Sequence, residues 1–234
     1  MSSTTDNPRQ NITFASGGHT AHGYLALPPG GSGPGLIVIQ EWWGLDSNLA
    51  DYVDRFAAEG FVTLAPDLYG GSVSHEQSTA GALMQQLPVE QAARDLGGAV
   101  DFLLGHDAVT SDAVGAVGFC MGGGFVLLLA AREGDRVGAA VPFYGVGPAV
   151  PDSYTSLTAP VMGHYGQTDG MYPVADAREL EKQIKAESGA QVEFHYYPAG
   201  HAFMNQDDHM GTYDADLAAV AWQRTIDFLH AKLG

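Results

Sequence analysis

A single cysteine, Cys120, stands among 234 residues, which excludes an intramolecular disulfide framework. Nothing therefore ties the chain to an oxidising compartment. Cations are scarce too: 10 Lys and Arg face 27 Asp and Glu, a formal net charge of −17. Phosphate backbones and anionic bilayers are held by Lys and Arg, so no nucleic-acid or membrane partner is expected. The plain consequence of the charge is solubility. No apolar run approaches the roughly 18 residues of a membrane helix. The segment Met1-Ser2-Ser3-Thr4-Thr5-Asp6-Asn7-Pro8 has neither the basic stretch nor the apolar core of a signal peptide, and the expected location is cytoplasmic. Asn11-Ile12-Thr13 matches a glycosylation acceptor, but without a secretory signal it reads as chance. The chain also lacks an HExxH helix, zinc-type cysteine spacings, a P-loop and a G-x-G-x-x-G turn. His19 and His22, three apart in a strand-like stretch, point to opposite faces and make a poor metal pair. Neither a metal nor a cofactor is implied.

Hydrophobic residues make up 45% of the chain, enough for one large core, and residues 1–234 are expected to form a single domain. About residues 1–11 are polar and expected to be loosely ordered. Ile12–Phe14 and Gly23–Leu27 read as short strands. From Leu36 onward, apolar strand-like runs alternate with helix-like segments. The runs are Leu36–Ile39, Phe61–Ala65, Ala113–Val117, Val137–Val141, Ala159–Tyr165 and Gln191–Tyr196. The helical patterns cover Asn48–Glu59, Glu76–Leu87, Val89–Leu104, Gly123–Arg132, Val174–Glu187 and Asp214–Leu233, with Gly60 placed to stop the first. Alternation of this kind predicts an α/β fold, a mostly parallel central sheet with helices on both faces. Residues 70–88 read as a variable region and a candidate lid.

Gly118-Phe119-Cys120-Met121-Gly122 lies between the strand at Ala113–Val117 and a helix. A strand, a Gly-x-nucleophile-x-Gly turn and a helix make the nucleophile elbow of the α/β-hydrolase fold. In open α/β sheets the chemistry sits at the carboxyl ends of strands. Asp169 follows one strand through Gly166-Gln167-Thr168, and His201 follows another through Pro198-Ala199-Gly200. The order Cys120, Asp169, His201 is the α/β-hydrolase order. A thiol with an ordinary pKa of about 8.5 is only a few per cent thiolate at neutral pH. His201 is expected to take its proton and return it to the leaving group, with Asp169 fixing the imidazole tautomer. The oxyanion needs preorganised donors, and the backbone N–H groups of Met121 and Trp42 are the candidates. The bland alternatives are an inert core cysteine, a turn aspartate before Gly170 and a surface histidine. Trp43, Tyr69, Tyr144, Tyr172, Phe203 and Met204 are candidates for lining a substrate pocket, with ordinary core packing as the alternative for each.

Four motifs stand in order: Gln40-Glu41-Trp42-Trp43-Gly44, Ala65-Pro66-Asp67-Leu68-Tyr69, Gly118-Phe119-Cys120-Met121-Gly122-Gly123 and Gly200-His201-Ala202-Phe203. Together they resemble the dienelactone hydrolase family (carboxymethylenebutenolidases), from about residue 20 to the C-terminus. The resemblance implies cofactor-free hydrolysis of a small-molecule ester or lactone by a Cys-His-Asp triad. It gives Glu41 a role as the glutamate that attends the resting thiol, where a carboxylate disfavours thiolate by like-charge repulsion. The alternative for Glu41 is a loop-capping role.

The chain departs from the family in one respect. Members acting on dienelactone hold its carboxylate with arginines, one after the Asp-Leu-Tyr motif and one shortly after the histidine. This chain has no Arg or Lys from Gly60 through Ala93, and none from Glu187 through Gln223. The bidentate clamp suited to carboxylates is missing from both places, and a less charged ester or lactone is expected. A protein that keeps Cys120 only as a redox-sensing thiol is the alternative from another class, and acyl transfer to an acceptor other than water is a third. The expected assembly is a monomer or small homo-oligomer.

Overall fold

A computed structural model describes residues 7, 9–147 and 149–234. The chain divides into two compact units, Met1–Val114 and Gly115–Gly234.

In the first unit, β1 (Ile12–Ser16) and β2 (His19–Ala26) form an antiparallel hairpin running from Ile12↔Gly23 to Ser16↔His19. Gly17 and Gly18 make its two-residue turn, with φ of +48° and +93°, the left-handed pair that matches strand twist. β3 (Gly35–Ile39) and β4 (Val62–Pro66) are buried at every position, as the predominantly apolar runs of buried parallel strands require. They pair parallel, while β2 pairs antiparallel with β4, giving the local order β1-β2-β4-β3. α1 (Ser47–Ala58) begins at Asp46, whose side chain accepts from the Leu49 N–H. It ends with Gly60 at φ +104°. The Gly60 N–H donates to Ala57 and the Phe61 N–H to Phe56, a Schellman stop at the glycine expected to provide it. α3 (Val89–Leu104) buries Ala92, Leu96, Ala99 and Leu103, one face at helical spacing. A Cβ on Gly98 would come within 2.6 Å of the Ala15 carbonyl oxygen, so glycine there lets helix and strand backbones touch.

Of the N-terminal stretch expected to be loose, residues 1–6 and 8 lie outside the described residues. Asn7 is buried, and its side-chain amide donates to the Leu45 carbonyl at 2.9 Å. Gln10 donates to Asp67 Oδ2 at 2.8 Å. In the 70–88 stretch, α2 (Gln77–Gln86) is capped by Glu76, which accepts from the Ser78 and Thr79 N–H groups. Bonds to Ser78 and Thr79 hold the Glu76 carboxyl down at about 2. The Ser74 N–H donates to the Trp43 carbonyl at 3.1 Å.

In the second unit the strand order is β5-β6-β7-β8. β5 (Val114–Phe119), which starts at the last residue of the first unit, is wholly buried. β6 (Val137–Phe143), β7 (Val161–Gly166) and β8 (Val192–Tyr197) follow, with β6/β7 and β7/β8 parallel. α4 (Met121–Glu133) is buried continuously from Met121 to Ala130, the burial its all-round apolar sequence demands. α5 (Val174–Glu187) and α6 (Ala215–Leu233) complete the unit. Among the described residues, no helix is long and apolar enough to cross a membrane.

Candidate active site

Cys120 is the single residue between β5 and α4, at φ 54° and ψ −120°. A side-chain-bearing residue held there stores about 1–3 kcal/mol of backbone strain. The surrounding backbone fixes it: the Cys120 N–H donates to the Phe143 carbonyl at 3.0 Å, and the Gly123 N–H to the Cys120 carbonyl at 2.9 Å. The glycines of the motif answer to packing. A Cβ on Gly118 would overlap the Gly122 carbonyl, and one on Gly123 would lie 2.8 Å from the Phe143 oxygen. Gly145 completes the set, since a Cβ there would sit 2.5 Å from the Cys120 oxygen. Gly145 carries no motif that marks it in sequence. Met121 opens α4, the helix end where N–H groups point outward.

Asp169 lies three residues past β7 and shares its carboxylate. Oδ1 accepts from the Met171 and Tyr172 N–H groups, both at 2.8 Å, and Oδ2 lies 2.8 Å from His201 Nδ1. The turn aspartate and the histidine partner are therefore the same residue. Both side chains are almost fully enclosed, at 3% exposure for His201 and 2% for Asp169. An ionised carboxylate only accepts, so Nδ1 carries a hydrogen and Nε2 is the nitrogen left to exchange a proton with the thiol.

His201 follows β8 and is placed by its own loop. The Thr212 hydroxyl donates to the His201 carbonyl, and Ala202 turns left-handed at φ 59°. Nε2 is buried with no partner at ordinary hydrogen-bond geometry among the described residues. Burial opposes charging of the ring. The Asp169 hydrogen bond and then Cys120 outweigh it and push the His201 pKa up to about 10. Cys120 is thus near enough to His201 to affect its charge, in a geometry looser than a standard hydrogen bond. Such contacts often tighten only when substrate is bound.

Aromatic rings pack around the imidazole. Tyr144 meets His201 edge-on at 5.1 Å and Tyr172 at 5.5 Å. Tyr144 has φ 38°, a second strained residue beside the elbow. Burial first, then the Cys120 and Asp169 charges, push the Tyr172 hydroxyl up to about 12. Phe203 is fully enclosed and packs on Tyr144 and Tyr197, and Met204 is buried beside it in sequence. In the first unit, Glu41 is buried just past the end of β3. It is followed by Trp42 and Trp43, whose rings lie 4.9 Å apart. Tyr69 is half-buried past the end of β4, with its N–H on Asp67 Oδ1 at 3.0 Å.

Residues 21–233 match the model of the dienelactone hydrolase family. The chain is 33% identical over 231 residues to Protein usf of Aquifex pyrophilus, covering 96% of this chain and 99% of that one. It is 35% identical over 221 residues to a protein of Methylorubrum extorquens provisionally named carboxymethylenebutenolidase, covering 88% and 75%. Among solved structures, it is similar to a provisionally named dienelactone hydrolase from Klebsiella pneumoniae, with a TM-score of 0.82, 28% identity and coverage of 94% and 96%.

Proposed function

The chain belongs to the dienelactone hydrolase family, with its α/β-hydrolase fold and ester or lactone hydrolase activity, and from that premise we propose that it works through a Cys120-His201-Asp169 triad and a thioester. The observation that carries the proposal is the His201 Nδ1–Asp169 Oδ2 contact of 2.8 Å behind a cysteine at a strained elbow.

Cys120 Sγ attacks the acyl carbon with its proton held on His201 Nε2. The oxyanion is met by the Met121 N–H, with the Trp42 N–H as second donor. Collapse breaks the ester C–O bond, and the imidazolium protonates the departing alkoxide, which in a lactone is the ring oxygen. His201 then takes a proton from water, and the hydroxide cleaves the thioester to release a carboxylic acid and the thiol. Asp169 steadies the imidazolium at each stage. Glu41 keeps the role implied by the family resemblance, and Glu41→Gln tests it through the rate of thiol alkylation. Tyr144 and Tyr172, whose rings abut His201, are the first candidates to meet substrate. Trp43, Tyr69, Phe203 and Met204 are the further candidates for contact with substrate.

The proposed substrate is an ester or lactone with less charge than dienelactone. Ala202 to Asn205, directly after His201, are buried and carry no cation, so a substrate carboxylate would be desolvated there without a partner. Steady-state hydrolysis of p-nitrophenyl esters tests the chemistry: Cys120→Ala is expected to abolish enzymatic turnover, and equal rates for variant and wild type would reject it. A panel of lactones tests the substrate class, with a neutral lactone expected to show a higher kcat/KM than dienelactone.

A further inference from the structure

Next to the loops that carry Asp169 and His201 runs a chain of polar side chains, buried except at its exposed Arg224 end, that the reaction does not use. Arg224 on α6 donates to the Tyr197 hydroxyl at 3.0 Å. That hydroxyl lies 2.8 Å from His164 Nδ1. His164 Nε2 lies 3.2 Å from Thr225 Oγ1, and the Thr225 hydroxyl donates to the Ala221 carbonyl at 2.9 Å. His164 and Thr225 are both 0% exposed. The two ends of the chain set its direction, because a guanidinium only donates and a carbonyl only accepts. One assignment gives every hydrogen in the chain an acceptor. Arg224 donates to Tyr197, Tyr197 to His164 Nδ1, His164 Nε2–H to Thr225, and Thr225 to Ala221. His164 is thereby a neutral ring with one defined tautomer. Burial, then the neighbouring His195 and Arg224, hold its pKa well below the usual value.

The chain meets the catalytic loops at Tyr197. This residue ends β8, four positions before His201, and His164 lies on β7, five positions before Asp169. The Tyr197 carbonyl accepts the Gln167 and Ala199 N–H groups, both at 2.7 Å, and the Thr168 N–H donates to the Ala199 carbonyl at 3.0 Å. A Cβ on Gly166 would overlap the Ala199 oxygen, so the two loops lie backbone to backbone. The Tyr144 N–H donates to the His164 carbonyl at 2.8 Å, and Tyr144 is the residue whose ring abuts His201.

We propose that His164 and Tyr197 are positioning residues: the chain from Arg224 to Ala221 anchors the end of β8 against β7 and so holds His201 at hydrogen-bonding distance from Asp169. This rests on the catalytic assignment of Asp169 and His201 made above. Without the Tyr197 hydroxyl, His164 Nδ1 and the guanidinium lose a buried partner, and the strand ends that carry the dyad are free to shift.

Tyr197→Phe in the full-length protein removes that hydroxyl alone. Its kcat is expected to fall about 10- to 100-fold, the cost of a catalytic group misplaced by about 1 Å, with KM within about 2-fold. The NMR resonance of the proton between His201 Nδ1 and Asp169 is expected to broaden or vanish, and the His201 titration to move down from about 10. Thr225→Val, which cuts the far end of the chain, is expected to move the same readouts the same way. Thr225→Ser, which keeps the hydroxyl, is expected to restore them. A folded Tyr197→Phe protein with unchanged kcat, titration and resonance overturns the proposal, as does equal behaviour of Thr225→Val and Thr225→Ser. If Tyr197→Phe does not fold, the Thr225 pair decides the matter. Failure of the catalytic assignment reads out separately, as ester hydrolysis that survives Cys120→Ala while the His201–Asp169 resonance still responds to Tyr197→Phe.

Discussion

Asp169 grips its own turn with one carboxylate oxygen and His201 with the other, so the 2.8 Å contact to His201 Nδ1 is built on a rigid base. The Met171 and Tyr172 N–H groups, each 2.8 Å from Oδ1, pin the carboxylate plane. Orientation of the imidazole then costs no further ordering when substrate arrives.

This division of labour separates two effects of mutation. Asp169→Asn keeps an acceptor for the turn amides but offers an NH₂ group where His201 needs an acceptor. It is expected to lower kcat about 10³- to 10⁴-fold, as inversion of the tautomer does in other triads, while Tm moves little. Asp169→Ala loses both functions and is expected to lower kcat and Tm together. Steady-state kinetics and thermal unfolding of the two variants check this, and a large Tm loss in Asp169→Asn would contradict it.

Protonation of His201 couples the site to stability. Its pKa is raised from about 6.5 when unfolded to about 10 when folded. The folded state therefore binds the proton more tightly. The resulting stabilisation is fully present below about pH 6.5 and is lost as pH rises through about 10. The stability advantage of wild type over Asp169→Asn is expected to shrink across that window. Urea unfolding at pH 6, 8 and 10 measures it, and an advantage that grows with pH would refute the assignment.

The glycines of the elbow differ sharply from others in the chain. Gly118→Ala drives a methyl into the Gly122 carbonyl, and Gly123→Ala crowds the Phe143 oxygen at 2.8 Å. Each is expected to cost several kcal/mol or prevent folding, since rigid backbone lies on the other side. Gly170, one residue past Asp169, has no described residue within 4 Å of a Cβ. Gly170→Ala is expected to change stability by less than about 1 kcal/mol. Chemical denaturation midpoints compare them directly.

Backbone strain at the nucleophile predicts an inverted order of stability. At φ 54° and ψ −120° a Cβ is unfavourable and its absence is not. Cys120→Gly is expected to be at least as stable as Cys120→Ala, by up to about 1–2 kcal/mol, though glycine costs more unfolded-chain entropy. Both are expected to lack hydrolysis. A Cys120→Ala protein clearly more stable than Cys120→Gly would show that the strain is not carried by this residue.

Much of this architecture is legible in local pattern. The period of apolar residues places α5 over Val174–Glu187 as expected, and Gly60 stops α1 through bonds that only a left-handed residue allows. The elbow is legible for the same reason: strand, tight turn and helix are consecutive, so five residues carry the whole geometry. The reach of β6 to Phe143 was not expected, because Pro142 and the aromatic residues around it break the simple apolar run. Its extension supplies the Phe143 carbonyl that holds Cys120. Asn7, in a segment read as loose, is instead buried by an amide contact 38 residues away.

Residue order alone set out a thiol, a carboxylate and an imidazole at the ends of three strands, because alternation and turn chemistry act over a few residues. Which atoms then meet was decided by packing at long range. His164 looks like one polar residue in an apolar strand, and Tyr197 like the end of another. Only when α6 brings Arg224 and Thr225 across them does a directed line of hydrogen bonds exist. Hydrogen bonds need partners within about 3 Å, and no periodicity along a chain encodes a distance between segments that close only on folding.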